Sequence, residues 1–269
     1  MPHYRSLARR LAGLSAVLGL AVAGCAGDPE SASSEHSGGR TGASGQVTVF
    51  AAASLTEAFT EIGKAFEQAN PDADLRFNFA GSATLSQQLT RGAPADVFAS
   101  ANTAQMQQAV GAGVTAGEPT VFVTNTLQIV VPAGNPANVT GLADFGKKDL
   151  ALAVCAAQVP CGAVSQTLFE TAGITPAPDT LEQSVKAVLT KVRLGEADAG
   201  LVYRTDVASA EGPVEGIDFP GAEKETNEYP IAALEDAPNA AGAHAFIDYV
   251  RSDEGKAALE EFGFGTDVS

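Results

Sequence analysis

Residues 47–70 read VTVFAAASLTEAFTEIGKAFEQAN, and they predict a strand that turns directly into a helix. Val47–Phe50 is a β-branched and aromatic run, which is typical of a buried strand. From Leu55 onward, large apolar residues recur every three or four positions, as on the core-facing side of a helix. Because small alanines join the two elements, we expect free backbone N–H groups where the helix starts at the edge of a sheet.

The start of this helix could hold an anion. Its first amide groups have no partner inside the helix, and the helix dipole adds about half a positive charge there. Ser54 precedes Glu57 by three residues, the spacing of a capping box in which the hydroxyl accepts the Glu57 N–H and the carboxylate reaches back. A serine that only caps its helix is the alternative interpretation of this position.

The composition indicates a soluble α/β protein that does not bind nucleic acid. The 269 residues include 28 Gly, no Trp and 45% hydrophobic residues, and the formal net charge is −16. Since no basic stripe is available to displace counterions from phosphates, nucleic acid is excluded as a partner. Any bound anion must then be held by local dipoles rather than by the overall field.

The first 24 residues have the pattern of an export signal. Three arginines precede the apolar run Leu11–Ala23, which is short for a membrane span. The run ends V-A-G-C and resembles the lipobox of bacterial lipoproteins, which implies cleavage before Cys25 and lipid attachment to its sulfur on the extracytoplasmic face of the membrane. Residues 25–45 are predicted to be a flexible tether. An ordinary cleaved signal with an incidental cysteine is the alternative.

Strands and helices alternate along the rest of the chain, which predicts an α/β fold. Two apolar segments, Thr126–Val131 and Tyr229–Leu234, are interpreted as crossings between two lobes. Lobe 1 is predicted to comprise residues 46–127 and 232–269, and lobe 2 residues 128–231. We expect each lobe to have a mixed, mostly parallel sheet flanked by helices, and the ligand to bind in the cleft between the lobes.

Catalytic motifs are missing from the sequence. Of its three histidines only His244 lies beyond the signal and tether, and its neighbours indicate a partly buried helix residue. There is no G-x-S-x-G, no phosphate loop ending in G-K-S/T and no H-E-x-x-H. Cys155 and Cys161 lack a nearby histidine and make a poor zinc pattern, but in an exported protein they could form a disulfide. The sequence therefore predicts neither an enzyme nor a cofactor.

Neutral hydrogen-bond donors at strand ends and helix starts remain as candidate ligands. They are the hydroxyls of Ser54, Ser82 and Tyr203 and the backbone N–H groups near Cys161 and Val185. Such donors suit a tetrahedral oxyanion, because each bond to a charged acceptor contributes about 1.5–3 kcal/mol. Since no lysine, arginine or carboxylate accompanies them, the set favours an oxyanion that carries no proton. A tyrosine packed at a strand end, with its hydroxyl in water, is the alternative for Tyr203.

Several motifs in order resemble one family. FAAASLTEAF, FAGSATLSQQL, GAPADVFASA, VPCG and AGLVYRTD are similar to segments of the periplasmic molybdate-binding protein of bacterial ABC importers, over nearly all of residues 46–264. The resemblance implies a type II periplasmic-binding-protein fold and a monomer that delivers molybdate, and also tungstate, to a transmembrane permease with its ATPase. The metal would be bound only as the oxyanion. The implied binding residues are Ser54, Ser82, Cys161, Val185 and Tyr203.

The family usually has alanine at the position of Cys161, but only the N–H of this residue would be used. Three alternatives stay open at this point. The first is a binding protein for another tetrahedral oxyanion, such as sulfate or thiosulfate. The second is an extracytoplasmic serine hydrolase that uses Ser54 or Ser82, and the third is a surface interaction lipoprotein with a vestigial cleft.

Overall fold

The structure is a computed structural model that describes residues 43–268. The predicted signal peptide, the lipid-attachment residue Cys25 and most of the predicted tether lie outside these residues, so they stay predictions. In the described part of the chain, no helix is both long and apolar enough to cross a membrane.

A five-stranded sheet forms the centre of lobe 1. Its strands are β1 (Gly45–Ala52), β2 (Ala73–Ala80), β3 (Val97–Ala99), β4 (Thr120–Asn125) and β10 (Asn227–Ala233), in the order β2-β1-β3-β10-β4. β1 pairs in parallel with β2 and β3, as the alternation of strands and helices predicts. β10 runs antiparallel to β3 and β4.

A second five-stranded sheet forms the centre of lobe 2. Its strands are β5 (Leu127–Pro132), β6 (Leu152–Cys155), β7 (Thr180–Glu182), β8 (Ala199–Tyr203) and β9 (Val214–Ile217), in the order β7-β6-β8-β5-β9. β6 pairs in parallel with β7 and β8, whereas β5 runs antiparallel to β8 and β9. Both sheets are therefore mixed, with two parallel and two antiparallel pairings each, because the one strand that follows each crossing, β5 or β10, runs against the other four strands of its sheet.

Helices flank both sheets. Those of lobe 1 are α1 (Thr56–Ala69), α2 (Ser82–Thr90), α3 (Thr103–Gly111), α7 (Ala240–Arg251) and α8 (Asp253–Glu261). Those of lobe 2 are α4 (Pro160–Thr171), α5 (Val185–Arg193) and the short α6 (Arg204–Ala208). Three 3-10 segments, Ala53–Leu55, Leu142–Gly146 and Ala222–Lys224, complete the regular structure of the described residues.

The chain passes from one sheet to the other at Thr126 and returns within residues 218–226. β4 ends at Asn125 and β5 begins at Leu127, so the first crossing lies close to the predicted boundary. The predicted return at residue 232 is wrong, because β10 pairs with the sheet of lobe 1 from Asn227 onward. An apolar run is compatible with a crossing and with a central strand alike, so its composition does not separate the two.

Core packing holds α1 and α5, which both start next to the space between the sheets, against their own lobes. On α1, Phe59 and Phe66 meet Phe246 of α7 edge to face, with ring centroids 5.7 and 5.5 Å apart. α5 lies directly on β8, because a Cβ at Gly200 would lie only 2.5 Å from Cγ1 of Val188. The apolar residues whose spacing predicted α1 thus form the helix face that packs against the core of its own lobe.

Candidate functional site

A small cavity lies between the two sheets. Its lining residues are Ala52, Ala53, Ser54, Gly81 and Ala101 from lobe 1 and Val159, Pro160, Cys161, Val185 and Tyr203 from lobe 2. Four of the five predicted binding residues therefore meet at one place, and no lysine, arginine or carboxylate lines it. A wider surface groove of about 280 Å³ beside Pro94 and Asp236 contains none of them.

Ser54 lies in the 3-10 segment between β1 and α1 and is 4% exposed. The predicted capping box is wrong, because the Ser54 hydroxyl caps no helix and instead forms a hydrogen bond of 2.9 Å with Oη of Tyr229. The 3-10 segment delays α1 until Thr56, so Leu55 takes the N-cap position that Ser54 would have needed. The Glu57 carboxylate is also engaged elsewhere, with a lysine of lobe 2. The serine side chain is thereby left at the cavity.

Ser82 is the first residue of α2 and the one predicted binding residue that does not line the cavity. Its Oγ accepts a hydrogen bond of 2.9 Å from the backbone N–H of Ala101. Gly81, the residue before it, and Ala101 both line the cavity. The hydroxyl is therefore next to the cavity wall, and no residue within 43–268 accepts its proton.

Lobe 2 contributes backbone amides at two helix starts. Cys161 is the second residue of α4, which begins at Pro160. Val185 is the first residue of α5, after the N-cap Ser184. The N–H groups of the first helical turn have no acceptor inside the helix, so both amides are available to a ligand. The positive ends of two helix dipoles meet at the cavity as a result.

A disulfide joins Cys155 to Cys161, the pairing that the sequence left open. It ties the end of β6 to the first turn of α4, with the two Cα atoms 5.7 Å apart. The connection requires Gly162, because a Cβ at this position would collide with the carbonyl oxygen of Ala156. The Cys161 amide is therefore held by its helix and by a covalent link.

Tyr203 ends β8 and is 1% exposed, so the alternative of a hydroxyl in water is wrong. Its ring meets that of Tyr229 edge to face, with centroids 5.9 Å apart, but its Oη has no hydrogen-bond partner among the described residues. Burial, followed by the neighbouring Tyr229 and Asp206, raises the pKa of Tyr203 well above its ordinary value. The hydroxyl stays protonated and has a proton to donate. A buried group without a partner costs about 1–3 kcal/mol, so an acceptor supplied by a ligand is favoured.

Two neutral contacts bring the walls of the cavity together. Gly81 packs on the backbone of lobe 2 so closely that a Cβ would collide with the carbonyl oxygen of Gln183. On α3, Nε2 of Gln105 donates a hydrogen bond of 3.0 Å to the carbonyl oxygen of Gln158. The lobes are thus in direct contact, and the structure is a closed form.

An ion cluster also spans the lobes, one residue beyond Val185. Nζ of Lys186 lies 2.8 Å from the Glu57 carboxylate of lobe 1 and 3.0 Å from Oδ1 of Asp206 in lobe 2. Burial lowers the pKa of Lys186, but the two carboxylates outweigh it and the net shift is upward. The ammonium therefore stays charged, and its charge is already compensated by protein carboxylates rather than reserved for a bound anion.

The arrangement suits an anion better than a cation or a reaction. Among residues 43–268, no group of three or more Asp, Glu, His or Cys side chains could hold a metal ion. His244, predicted to be partly buried, is exposed on α7, and no hydrogen bond in the described part joins it to Ser54 or Ser82. The cavity presents O–H and N–H donors, which bind negatively charged oxygen most strongly.

The sequence pattern of the bacterial extracellular solute-binding proteins matches residues 47–265. The chain belongs to this family. The solute-binding protein is 42% identical over 248 residues to the molybdate-binding protein ModA of Mycobacterium tuberculosis strain H37Rv, over 92% of this chain and 95% of the relative. It is 29% identical over 250 residues to the ABC transporter substrate-binding lipoprotein YvgL of Bacillus subtilis, over 91% of this chain and 93% of the relative.

Solved structures confirm the predicted two-lobe α/β fold of this solute-binding protein. The substrate-binding domain of a molybdenum ABC transporter from Clostridium difficile matches with a TM-score of 0.60 and 26% identity, over 83% of this chain and 99% of that one. The sulfate-binding protein SubI of Mycobacterium tuberculosis matches with a TM-score of 0.73 over 82% of this chain and 87% of that one. At 17% identity, this second likeness shows the fold alone.

Sequence reasoning missed the residues of the solute-binding protein that support the predicted ones. It places Tyr229 in a crossing segment and gives no role to Asn125, Asn227 or Gly81. A usable signal was present, because Asn227 and Tyr229 are two residues apart, directly before the apolar run that ends at Leu234, and residues two apart share one face of a strand.

Proposed function

We propose that this solute-binding protein binds molybdate, and also tungstate, in the cavity between its lobes. The metal enters only as the oxyanion, and no cofactor takes part. The ion is held by the hydroxyls of Ser54, Ser82 and Tyr203 and by the N–H groups of Cys161 and Val185.

The observation that carries the proposal is the buried hydroxyl of Tyr203, which has no partner in the described residues and lines a cavity without any lysine, arginine or carboxylate. An oxyanion without a proton satisfies this hydroxyl and the other proposed donors fully, because its oxygens only accept hydrogen bonds. The 42% identity to a protein named molybdate-binding protein supports the choice among such anions.

The protein acts by binding and not by catalysis. Nucleophilic attack by Ser54 or Ser82 needs a base within hydrogen-bond reach. The groups that contact the two serine oxygens are Tyr229 Oη and the Ala101 N–H, and neither takes up a proton at neutral pH, since burial raises the pKa of Tyr229 far above its ordinary value.

The bound ion is delivered to the permease of an ABC importer that is driven by its ATPase. Closure of the two lobes marks the loaded form for the permease. The protein works as a monomer on the extracytoplasmic face of the bacterial membrane, where a lipid on Cys25 anchors it and residues 25–45 give it reach. The relative named as a substrate-binding lipoprotein supports this location.

Calorimetric titration of the purified protein with molybdate, tungstate, sulfate and orthophosphate tests the proposal. We expect tight binding of the first two anions and weak binding of the others. Thermal unfolding gives a second measure, because a ligand at 100 times its Kd adds about 2.7 kcal/mol to the free energy of unfolding.

Sulfate binding as tight as molybdate binding would make the protein a more general oxyanion carrier. A melting temperature that no anion changes would favour a surface interaction lipoprotein. Labelling of Ser54 or Ser82 by a fluorophosphonate probe would favour a hydrolase instead.

A further inference from the structure

Strand β10 carries two buried polar residues on the face next to the cavity. Asn227 and Tyr229 are 3% and 0% exposed and are separated by the exposed Glu228. Asn227 pairs across the sheet with Asn125, the last residue of β4. None of these residues lines the cavity, yet each takes part in a hydrogen-bond chain that ends at a serine.

The first chain ends at Ser54. Oδ1 of Asn125 accepts the N–H of Thr126 at 3.0 Å, which turns the Asn125 Nδ2 group toward Oη of Tyr229, a long contact of 3.5 Å. Oγ of Ser54, 2.9 Å away, is the acceptor that the described residues place beside the Tyr229 hydroxyl, so we assign the Tyr229 proton to this bond. The Ser54 proton then has no acceptor among residues 43–268 and is left for the cavity.

The second chain ends at Ser82. Nδ2 of Asn227 donates a hydrogen bond of 2.7 Å to the carbonyl oxygen of Ala101. The N–H of the same Ala101 donates to Oγ of Ser82 at 2.9 Å. The Asn227 side chain therefore fixes the backbone at Ala101. The Ala101 N–H in turn occupies one lone pair of the Ser82 oxygen. The Ser82 proton is also left without an acceptor in the described part of the chain.

We infer that Tyr229 and Asn227 are positioning residues that turn the Ser54 and Ser82 hydroxyls into donors toward the bound anion. The oxygen of each serine accepts a hydrogen bond from its own lobe, so each hydroxyl proton remains available to the anion. An anion that carries a proton, such as hydrogen phosphate, then finds no ready acceptor at either serine. The inference rests on the proposed function, because it concerns the same site.

Double-mutant cycles test the assignment through pair-specific coupling. The single variants are Tyr229→Phe, Asn227→Leu, Ser54→Ala and Ser82→Ala, combined in matched pairs (229 with 54, 227 with 82) and crossed pairs (229 with 82, 227 with 54). Calorimetry gives the Kd of whichever anion among molybdate, tungstate, sulfate and orthophosphate binds the wild type most tightly. Tyr249→Phe is the matched control, because this tyrosine of α7 packs against Phe66 away from the cavity.

We expect Tyr229→Phe and Asn227→Leu each to weaken binding about tenfold, the size of one hydrogen bond to a charged acceptor. In the matched alanine background, each change should cost less than about twofold, since the serine it orients is gone. In the crossed pairs the fold-changes should multiply. Tyr229→Phe should also narrow the ratio of molybdate to orthophosphate affinity, because the Ser54 oxygen becomes free to accept.

Equal fold-changes in matched and crossed backgrounds would overturn the inference and leave the two residues a structural role only. Unchanged affinity in the single variants would overturn it as well. If molybdate fails to bind but another anion shows the matched coupling, the proposed function fails while the inference stands. If none of the four anions binds, both fail. Should Asn227→Leu not fold, the Tyr229→Phe cycle, which removes one oxygen atom, decides the question.

Discussion

The two walls of the cavity present the same chemistry by different means. Lobe 1 offers the side-chain hydroxyls of Ser54 and Ser82, each contacted by a hydrogen-bond donor of its own lobe. Lobe 2 offers backbone amides at two helix starts, together with the Tyr203 hydroxyl, which has no partner in the described residues. The hydroxyls of lobe 1 are therefore oriented by hydrogen bonds from neighbouring residues, and the amides of lobe 2 by secondary structure.

The difference decides how each wall responds to substitution. A hydroxyl can be deleted or turned by changing one side chain, whereas a backbone N–H survives almost every substitution at its position. A cysteine at position 161 therefore keeps the same backbone N–H as the alanine that the family resemblance implies there. The wall of lobe 1 should therefore be sensitive to single changes at or behind the serines, and the wall of lobe 2 chiefly to changes that move its helices or remove Tyr203.

The largest effect is expected where the walls touch. Gly81→Ala places a Cβ against the carbonyl oxygen of Gln183, so the lobes cannot reach their closed distance. Because two or more charge-assisted hydrogen bonds are then lost, molybdate binding should weaken at least about 100-fold by calorimetry. Gly111→Ala is the control, since a Cβ there meets nothing within 4 Å. Wild-type affinity in Gly81→Ala would show that closure does not hold the ion.

Tyr203→Phe separates binding from stability. Removing the hydroxyl deletes one hydrogen bond to the anion and should weaken molybdate binding about tenfold. It also removes a buried polar atom without a partner in the unliganded protein, so the free energy of unfolding should stay equal or rise by about 1 kcal/mol. Urea unfolding without ligand measures the second quantity. A clear loss of stability would mean that this hydroxyl already has a partner.

Glu57→Gln tests the charged link between the walls. The change removes the contact of 2.8 Å with Lys186 but leaves Asp206 to compensate the ammonium. For a partly buried pair, with side chains 23% and 34% exposed, we expect about threefold weaker molybdate binding, mainly through faster dissociation, and a smaller effect of salt than in the wild type. Glu61→Gln on the same helix, whose partner Lys64 belongs to the same lobe, should change nothing. An equal effect of both substitutions would contradict a role in closure.

The disulfide should have the smallest effect on binding. Replacing Cys155 and Cys161 by serine leaves the N–H of residue 161 at its helix start, so the molybdate Kd should change less than about twofold. The free energy of unfolding should fall by about 2 kcal/mol, because the unfolded chain regains the freedom of a short loop. Chemical unfolding with and without dithiothreitol checks this. A large loss of affinity would show that the helix alone does not place the amide.

Much of this arrangement could be predicted from local sequence. The apolar spacing on α1 and the small residues before Ser54 locate a helix start at a sheet edge, and the same kind of reasoning finds Ser82 and Tyr203. Local sequence could not show that Ser54 misses its capping box, because the competing partner, Tyr229, is 175 residues away along the chain. The need for glycine at position 81 likewise depends on the opposite lobe.

Asn125 lies just before the first crossing between the lobes and links this junction to the site. Its Nδ2 group also donates a hydrogen bond of 2.8 Å to Oγ1 of Thr205 in lobe 2. We expect this bond to break when the lobes move apart, so that the Asn125 amide that orients Tyr229 loses one of its two restraints. The hydroxyl donors of lobe 1 are therefore fully oriented only while the two lobes are closed. On the proposed function, we expect opening at the permease to weaken the binding of the anion at the moment of its release.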